Sequence, residues 1–205
     1  MFSWATSLSD SLSLQSNTFL PSHCHHFLKR VHTVALDCNI WRSCISVGTK
    51  LRLYNSCILP IFLYGVETWP VTATAVKTFD ALDQWCLCCI LNIHWTERIT
   101  NNEVRSRTQQ PLLSDTVRSR CLRFFGHICR ADPNQDHSRA LYASTTCLPK
   151  HWRRRPGRSR QTWLRTTKND LQPLNLSLAT AQRCAQNRTA WQTLVEMATS
   201  LTSSR

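Results

Sequence analysis

The sequence predicts an all-α fold, on three observations. From Val47 onward, apolar residues recur at steps of three and four, the spacing of one buried helix face. No stretch shows the period-two alternation of a half-buried strand. Ser and Thr residues stand just before several of the periodic stretches, where a side-chain oxygen can accept from an exposed backbone N–H of the first helical turn. At 205 residues and 42% hydrophobic content, the chain is long enough to bury a core.

Residues 1–38 are rich in Ser, Leu and His, include "PSHCHHF", and carry no clean periodicity. We expect irregular structure there. A first helix is predicted over about Gly48 to Leu63, kinked or interrupted near Pro60 and stopped by the glycine of "YGVETW". Thr72 or Thr74 caps a second, on which Val76, Phe79, Leu82, Cys86 and Ile90 share one face. Asp80 and Asp83, at i and i+3 on that helix, read as a polar face.

Ser114, followed by Asp115, opens a third helix reaching about Arg130. At 100° per residue, Val117, Cys121, Phe124, Phe125 and Ile128 fall on one apolar side. Arg120, Arg123, His127 and Arg130 cluster on another, roughly 120° away. A short helix follows around Asn134 to Ala143. One or two more are expected in the C-terminal stretch, with Trp191, Leu194, Val195 and Ala198 on one side. The expected organisation is therefore 1–38 irregular, 39–145 helical, 146–170 a basic segment and 171–205 C-terminal helices.

Charge narrows the choice of partner. Twenty-five Lys and Arg against 12 Asp and Glu give a formal +13, which favours a polyanion such as RNA or DNA. Between Val104 and Asp170 stand 15 basic and 4 acidic residues, a net +11, so only +2 remains for the rest of the chain. The densest part is "KHWRRRPGRSR", with Lys150, Arg153, Arg154, Arg155, Arg158 and Arg160 and no intervening acid. Pro156 and Gly157 favour an extended or turning backbone there, from which guanidinium groups can follow successive phosphates. A solvated charged face or a nuclear-localisation signal are the competing readings. Trp152 and Trp163 either stack on unpaired bases or anchor the segment to the core, and we favour the anchor.

Several functions are disfavoured. The longest apolar run, "CILPIFLYGV", is about ten residues against the roughly 20 needed to span a bilayer, so no membrane partner is expected. The N-terminus lacks the basic and apolar regions of an export signal, so an intracellular protein, nuclear or cytoplasmic, is expected. The 11 cysteines then read as buried or free thiols rather than a disulfide framework. Cys86 and Cys89 form a C-x-x-C, with His94, His127, Cys129 and the "HCHH" of His23 to His26 as further candidates. Cys86 and Cys89 lie inside a helix, however, which does not suit a tetrahedral zinc site. No metal, cofactor or small-molecule substrate is expected. A Cys/His nucleophile pair lacks an orienting third group, and only four glycines leave no Gly-rich phosphate loop.

The segments "GTKLRLYNSCILPIFLYGVETW", "LDQWCLCCILNIHWTERITN", "RCLRFFGHICRAD" and "RRRPGRSRQTWL" occur in this order. Together they make the chain resemble, over about Asn39 to Thr199, the region downstream of the polymerase palm in reverse transcriptases of non-LTR (LINE-type) retrotransposons. The resemblance implies a thumb-like helical region and a basic tail that hold the RNA template and growing primer duplex. It also implies a palm whose paired aspartates hold two metal ions, and an endonuclease domain. No Asp-Asp pair occurs anywhere in the chain, so no residue is assigned to catalysis and no polymerase activity is expected of the chain by itself. A truncated copy is the simplest reading.

Cys88 and Cys121 stand where the family commonly carries Arg, and Ser159 where it commonly carries Pro. Each difference corresponds to a single C-to-T change, which points to decay. The expected interface comprises Arg120, Arg123, His127, Arg130, Lys150, Arg153, Arg154, Arg155, Arg158 and Arg160. A domesticated nucleic-acid-binding module and the non-functional product of a decayed element are the alternatives.

Overall fold

A computed structural model describes residues 40–145, 153, 156–157 and 161–203, and among these residues it contains helices and no strand. The fold is all-α, as the periodicity predicts. Ser46 caps α1 (Val47–Leu53), its hydroxyl accepting from the Thr49 N–H at 3.3 Å. The chain continues without a break through a wider π-helical turn, Tyr54–Ile58, into α2 (Leu59–Phe62). The widening explains how a helix crosses Pro60. Proline lacks the N–H that would bond one turn back, and a five-residue bond from the Leu59 N–H to the Tyr54 carbonyl relieves the ladder just before it. Gly65, at φ +66°, then turns the chain out of the helix.

Thr72 caps α3 (Ala73–Leu91), accepting from the Ala75 N–H at 3.2 Å, and Asn92 closes the helix in the left-handed conformation. Phe79, Cys86, Leu87 and Ile90 are buried on it, while Val76 and Leu82 are half-buried. Helix α4 (Asn101–Thr108) is capped by Thr100. The central helix α5 (Leu113–Arg130) has no cap of its own, against the expectation that Ser114 opens it. Asp80 of α3 accepts instead from the Ser114 N–H at 2.9 Å, so a carboxylate from a neighbouring helix satisfies the first turn.

Helix α6 (Asp136–Thr145) follows, and beyond the basic segment come α7 (Trp163–Leu171), α8 (Leu178–Ala185) and α9 (Arg188–Ser203). Thr162 and Ser177 cap α7 and α8 through the Arg165 and Thr180 N–H groups. The Asn187 side chain accepts from the N–H groups of Thr189 and Ala190 at the start of α9.

Helices α3 and α5 organise the interior. Phe62, Leu63, Val66 and Phe79 pack with Leu113, Val117 and Cys121 from the first half of α5. The second half contributes Leu122, Phe125 and Ile128 to a cluster with Leu141, Leu171, Ala181, Ala185, Trp191, Val195 and Ala198. At the other end, Trp41 and Tyr54 pack with Cys86, Leu87, Ile90 and Val104. One cluster runs from Leu122 to Ala198, so α5, α6, α7, α8 and α9 share buried side chains. Helix α7 belongs to this cluster through Trp163 and Leu171, although it lies largely in the stretch expected to be a basic segment.

Helices α5 and α9 pack in close contact. The indole Nε1 of Trp191 donates to the Leu122 carbonyl at 3.0 Å, one turn before Gly126. A Cβ at Gly126 would collide with that nitrogen, so the glycine is what lets the indole reach the helix backbone.

Candidate nucleic-acid interface

The basic stripe of α5 divides in two. Arg123 and His127 are exposed. Arg120 and Arg130 are half-buried and donate to carbonyls at the ends of other helices: Arg120 Nη1 to Leu63 O at 3.3 Å, and Arg130 Nη1 to Ala185 O at 2.7 Å. A cation at a helix C-terminus satisfies carbonyls left without intrahelical partners and complements the helix dipole. Both arginines therefore tie helices together as well as contributing charge to the surface. Across from His127, the His137 ring of α6 lies nearly parallel at a centroid distance of 6.4 Å.

In the basic segment Arg153 is exposed, as are Pro156 and Gly157. Gly157 adopts φ +120°, a conformation that side-chain-bearing residues rarely take, so the backbone turns there as the Pro-Gly pair predicts. Lys150, Arg154, Arg155, Arg158, Arg160 and Trp152 lie outside the described residues, as do residues 1–38 with "HCHH". Trp163 is an anchor. Its Nε1 donates to the Glu67 carbonyl at 2.7 Å, and its ring meets Phe124 edge-on at 5.9 Å and Phe125 at 6.2 Å. The chain leaving the basic segment is thus fastened to the turn after α2 and to the middle of α5.

Asp83 corrects the reading of a polar face on α3. It is buried, accepts from the Tyr54 hydroxyl, and pairs with Arg105 of α4 at 2.8 Å. Burial pushes its carboxyl above the usual range, against the hydrogen bonds from Tyr54 and Arg105 that favour the charged form. The triad joins the π-turn, α3 and α4, and its role is structural. Lys50 is likewise buried, its Nζ donating to the Trp41 carbonyl at 2.6 Å.

Position 121 has unusual surroundings. Cys121 is buried, and its thiol is pushed up to about 12 by burial and then by the nearby Asp170 and Glu67 carboxylates. Glu67 Oε2 is buried without a hydrogen-bond partner. Asp170 accepts from Arg118 at 3.3 Å, yet its carboxyl is held above the usual range by burial. A cleft of about 170 Å³ opens beside Cys121, lined also by Val71, Thr166, Asp170 and Arg118. Two acids thus act electrostatically on a neutral side chain.

The eight described cysteines are free thiols. Cys86 faces the core, where burial raises its thiol far above the ordinary range, and a thiol held protonated is a poor metal ligand. Among the described residues no three His, Cys, Asp or Glu side chains converge on a common point. Nor is any described helix long and apolar enough to cross a membrane.

Helical periodicity missed the Asp83–Arg105–Tyr54 triad because its members come from three helices. The one available signal was Asp83 standing four residues after Phe79, and so on the apolar side of α3. The exposed Tyr64 was missed because it sits inside the most apolar run of the chain. Comparisons with protein-family models, curated proteins and solved structures return no match.

Proposed function

We propose that this chain holds nucleic acid through its phosphate backbone, as the C-terminal thumb and tail portion of a non-LTR retrotransposon reverse transcriptase, without polymerase activity by itself. The observation that carries the reading is the concentration of uncompensated positive charge in the second half of the chain. The acids of that region are already engaged: Asp115 and Asp170 with Arg118, Asp136 with Arg139, and Asp132 with the Asn134 N–H. Arg123, His127 and Arg153 are exposed to solvent, and the sequence adds Lys150, Arg154, Arg155, Arg158 and Arg160 without a single acid among them. Neighbouring cations repel one another, and a polyphosphate relieves that repulsion while releasing its own condensed counterions.

A decayed origin is favoured by position 121. The resemblance implies an arginine there, and the two carboxylates beside Cys121, one with an unpartnered buried oxygen, are what a guanidinium would pair with.

Salt dependence tests the reading. Phosphate contacts position a protein without reading bases, so affinity should be nearly indifferent to sequence and steeply sensitive to salt. Replacing Arg153, Arg154 and Arg155 together by Ala should flatten the slope of log K against log salt by about 2–3 units, at roughly 0.7–0.9 for each phosphate no longer neutralised. Fluorescence anisotropy with a labelled oligonucleotide measures it. An unchanged slope would mean that these arginines are a solvated or targeting run.

A further inference from the structure

The corner where α5 meets α6 brings two histidines face to face. His127 stands in the last turn of α5 and His137 in the first turn of α6. Their rings lie 15° from parallel at a centroid distance of 6.4 Å, and both residues are exposed. The corner is held from beneath. The Ser138 hydroxyl donates to the Ile128 carbonyl at 3.3 Å, and Leu141 is buried in the same cluster as Ile128.

Cations outnumber acids around the pair. Arg123 is exposed one turn before His127 on the same side of α5, and the half-buried Arg130, nearly one turn after it, reaches the Ala185 carbonyl at 2.7 Å. From α6 comes the exposed Arg139. Against these three arginines stand two acids: Asp132, which accepts from the Asn134 N–H at 2.8 Å, and Asp136, 3.9 Å from Arg139. The junction of α8 and α9, which Arg130 touches, adds the exposed Arg183 and Arg188 on either side of Ala185 and no acid. Three arginines and two aspartates give the α5–α6 corner a net +1 with the imidazoles neutral and +3 with both protonated.

We propose that this corner is a phosphate-binding surface for nucleic acid, with His127 and His137 as contacts that engage when protonated, so that binding strengthens in acid. This deepens the nucleic-acid reading above and rests on it. Imidazole is the side chain that ordinarily changes charge between pH 5 and 8. Two imidazolium rings held face to face repel each other, and a phosphate beside them offers oxygens to both. The last turn of α5 also suits a positive charge, because its carbonyls form the negative end of the helix dipole. Bound polyanion therefore favours the protonated pair, and by reciprocity protons favour the bound polyanion. The two contacts are present below the imidazole range and lost as pH rises through it.

The test uses the full chain and a labelled oligothymidylate, whose bases and phosphodiesters keep their charge between about pH 5.5 and 8, the range in which imidazole titrates. Anisotropy titrations at several salt concentrations give the slope of log K against log salt at each pH. For the unaltered protein the slope should steepen from pH 8 to pH 5.5. Six of the eight histidines lie elsewhere in the chain, so substitution must assign the increment. Replacing His127 and His137 together by Gln should remove about 1–2 units of the steepening, at roughly 0.7–0.9 for each phosphate contact. Replacing both by Arg should keep the steep slope at either pH.

Both residues are solvated, so the variants should keep their helical circular dichroism spectra. Should the Gln pair not, the Arg pair decides, since its slope at pH 8 should exceed that of the unaltered protein by about 1–2 units. A slope that does not change with pH in the unaltered protein overturns the role of the corner while leaving phosphate binding intact. So does a steepening that the Gln pair leaves in place, or an Arg pair that binds no more steeply at pH 8. Absence of salt-dependent binding at either pH overturns the nucleic-acid reading itself, and the corner with it.

Discussion

Gly126→Ala should destabilise the protein, against the usual behaviour of a glycine inside a helix. Helix propensity alone would favour alanine by about 1 kcal/mol. Here the added Cβ would collide with Nε1 of Trp191 and lie 2.5 Å from its Cδ1, on a side chain only 2% exposed and packed against Phe125 at a centroid distance of 5.7 Å. The indole must move, losing its hydrogen bond to Leu122 O, a loss of about 1 kcal/mol. Overpacking a tight interior adds about 1–3 kcal/mol. The net cost is therefore about 1–3 kcal/mol, which for a chain of this length lowers the melting temperature by roughly 2–12 °C.

Thermal unfolding followed by circular dichroism at matched protein concentration measures the shift. The same substitution in a Trp191→Phe background should cost less, because the smaller ring withdraws from the position the new methyl occupies. A higher melting temperature for Gly126→Ala, or additive effects of the two changes, would refute the close approach of α9 to α5.

Two further outcomes follow from the buried charges. Asp83→Ala should cost about 3–5 kcal/mol at pH 7, since it removes the acceptor of both the Tyr54 hydroxyl and the Arg105 guanidinium in a largely buried setting. Its deficit relative to the unaltered protein should widen on acidification from pH 7 toward roughly 4, the ordinary aspartate range. Burial raises the folded-state value of Asp83, so the unaltered protein gains stability as pH falls through that value and the Ala variant does not. Urea titrations at several pH values measure the gap, and a gap that narrows in acid would contradict the direction of the shift. Cys121→Arg should be tolerated at pH 7, its guanidinium reaching into the adjacent cleft to pair with Glu67 and Asp170. Cys121→Leu, with added bulk and no charge, should lose stability. The advantage of Arg over Leu should shrink in acid as Asp170, whose carboxyl burial holds above the usual range, is protonated. Equal destabilisation by Arg and Leu at pH 7 would show that the acids do not form a cation site.

What the sequence determined by itself is local. The three-and-four spacing of Val76 to Ile90 set which side of α3 is apolar, the threonines at 72 and 74 marked its start to within two residues, and Gly65 marked the turn before it. Each rests on groups within a turn or two, where the chain's own geometry decides. The concentration of charge after Val104 is likewise a property of composition and needs no fold.

Only the tertiary structure decided how those charges are used. Arg120 and Arg130 looked equivalent to Arg123 and His127 because periodicity assigns a direction around one helix and says nothing of what stands opposite. The carbonyls they meet lie 57 and 55 residues away in sequence. Asp80 and Asp83 looked alike for the same reason, yet one caps α5 and the other is buried beneath Tyr54 and Arg105. A glycine at 126 carried no sign that an indole 65 residues later would lie against it, because a close approach depends on a missing atom and on the path of another helix. A hydrogen bond or a clash between helices forms only once both are placed, and that placement is a property of the packed chain as a whole.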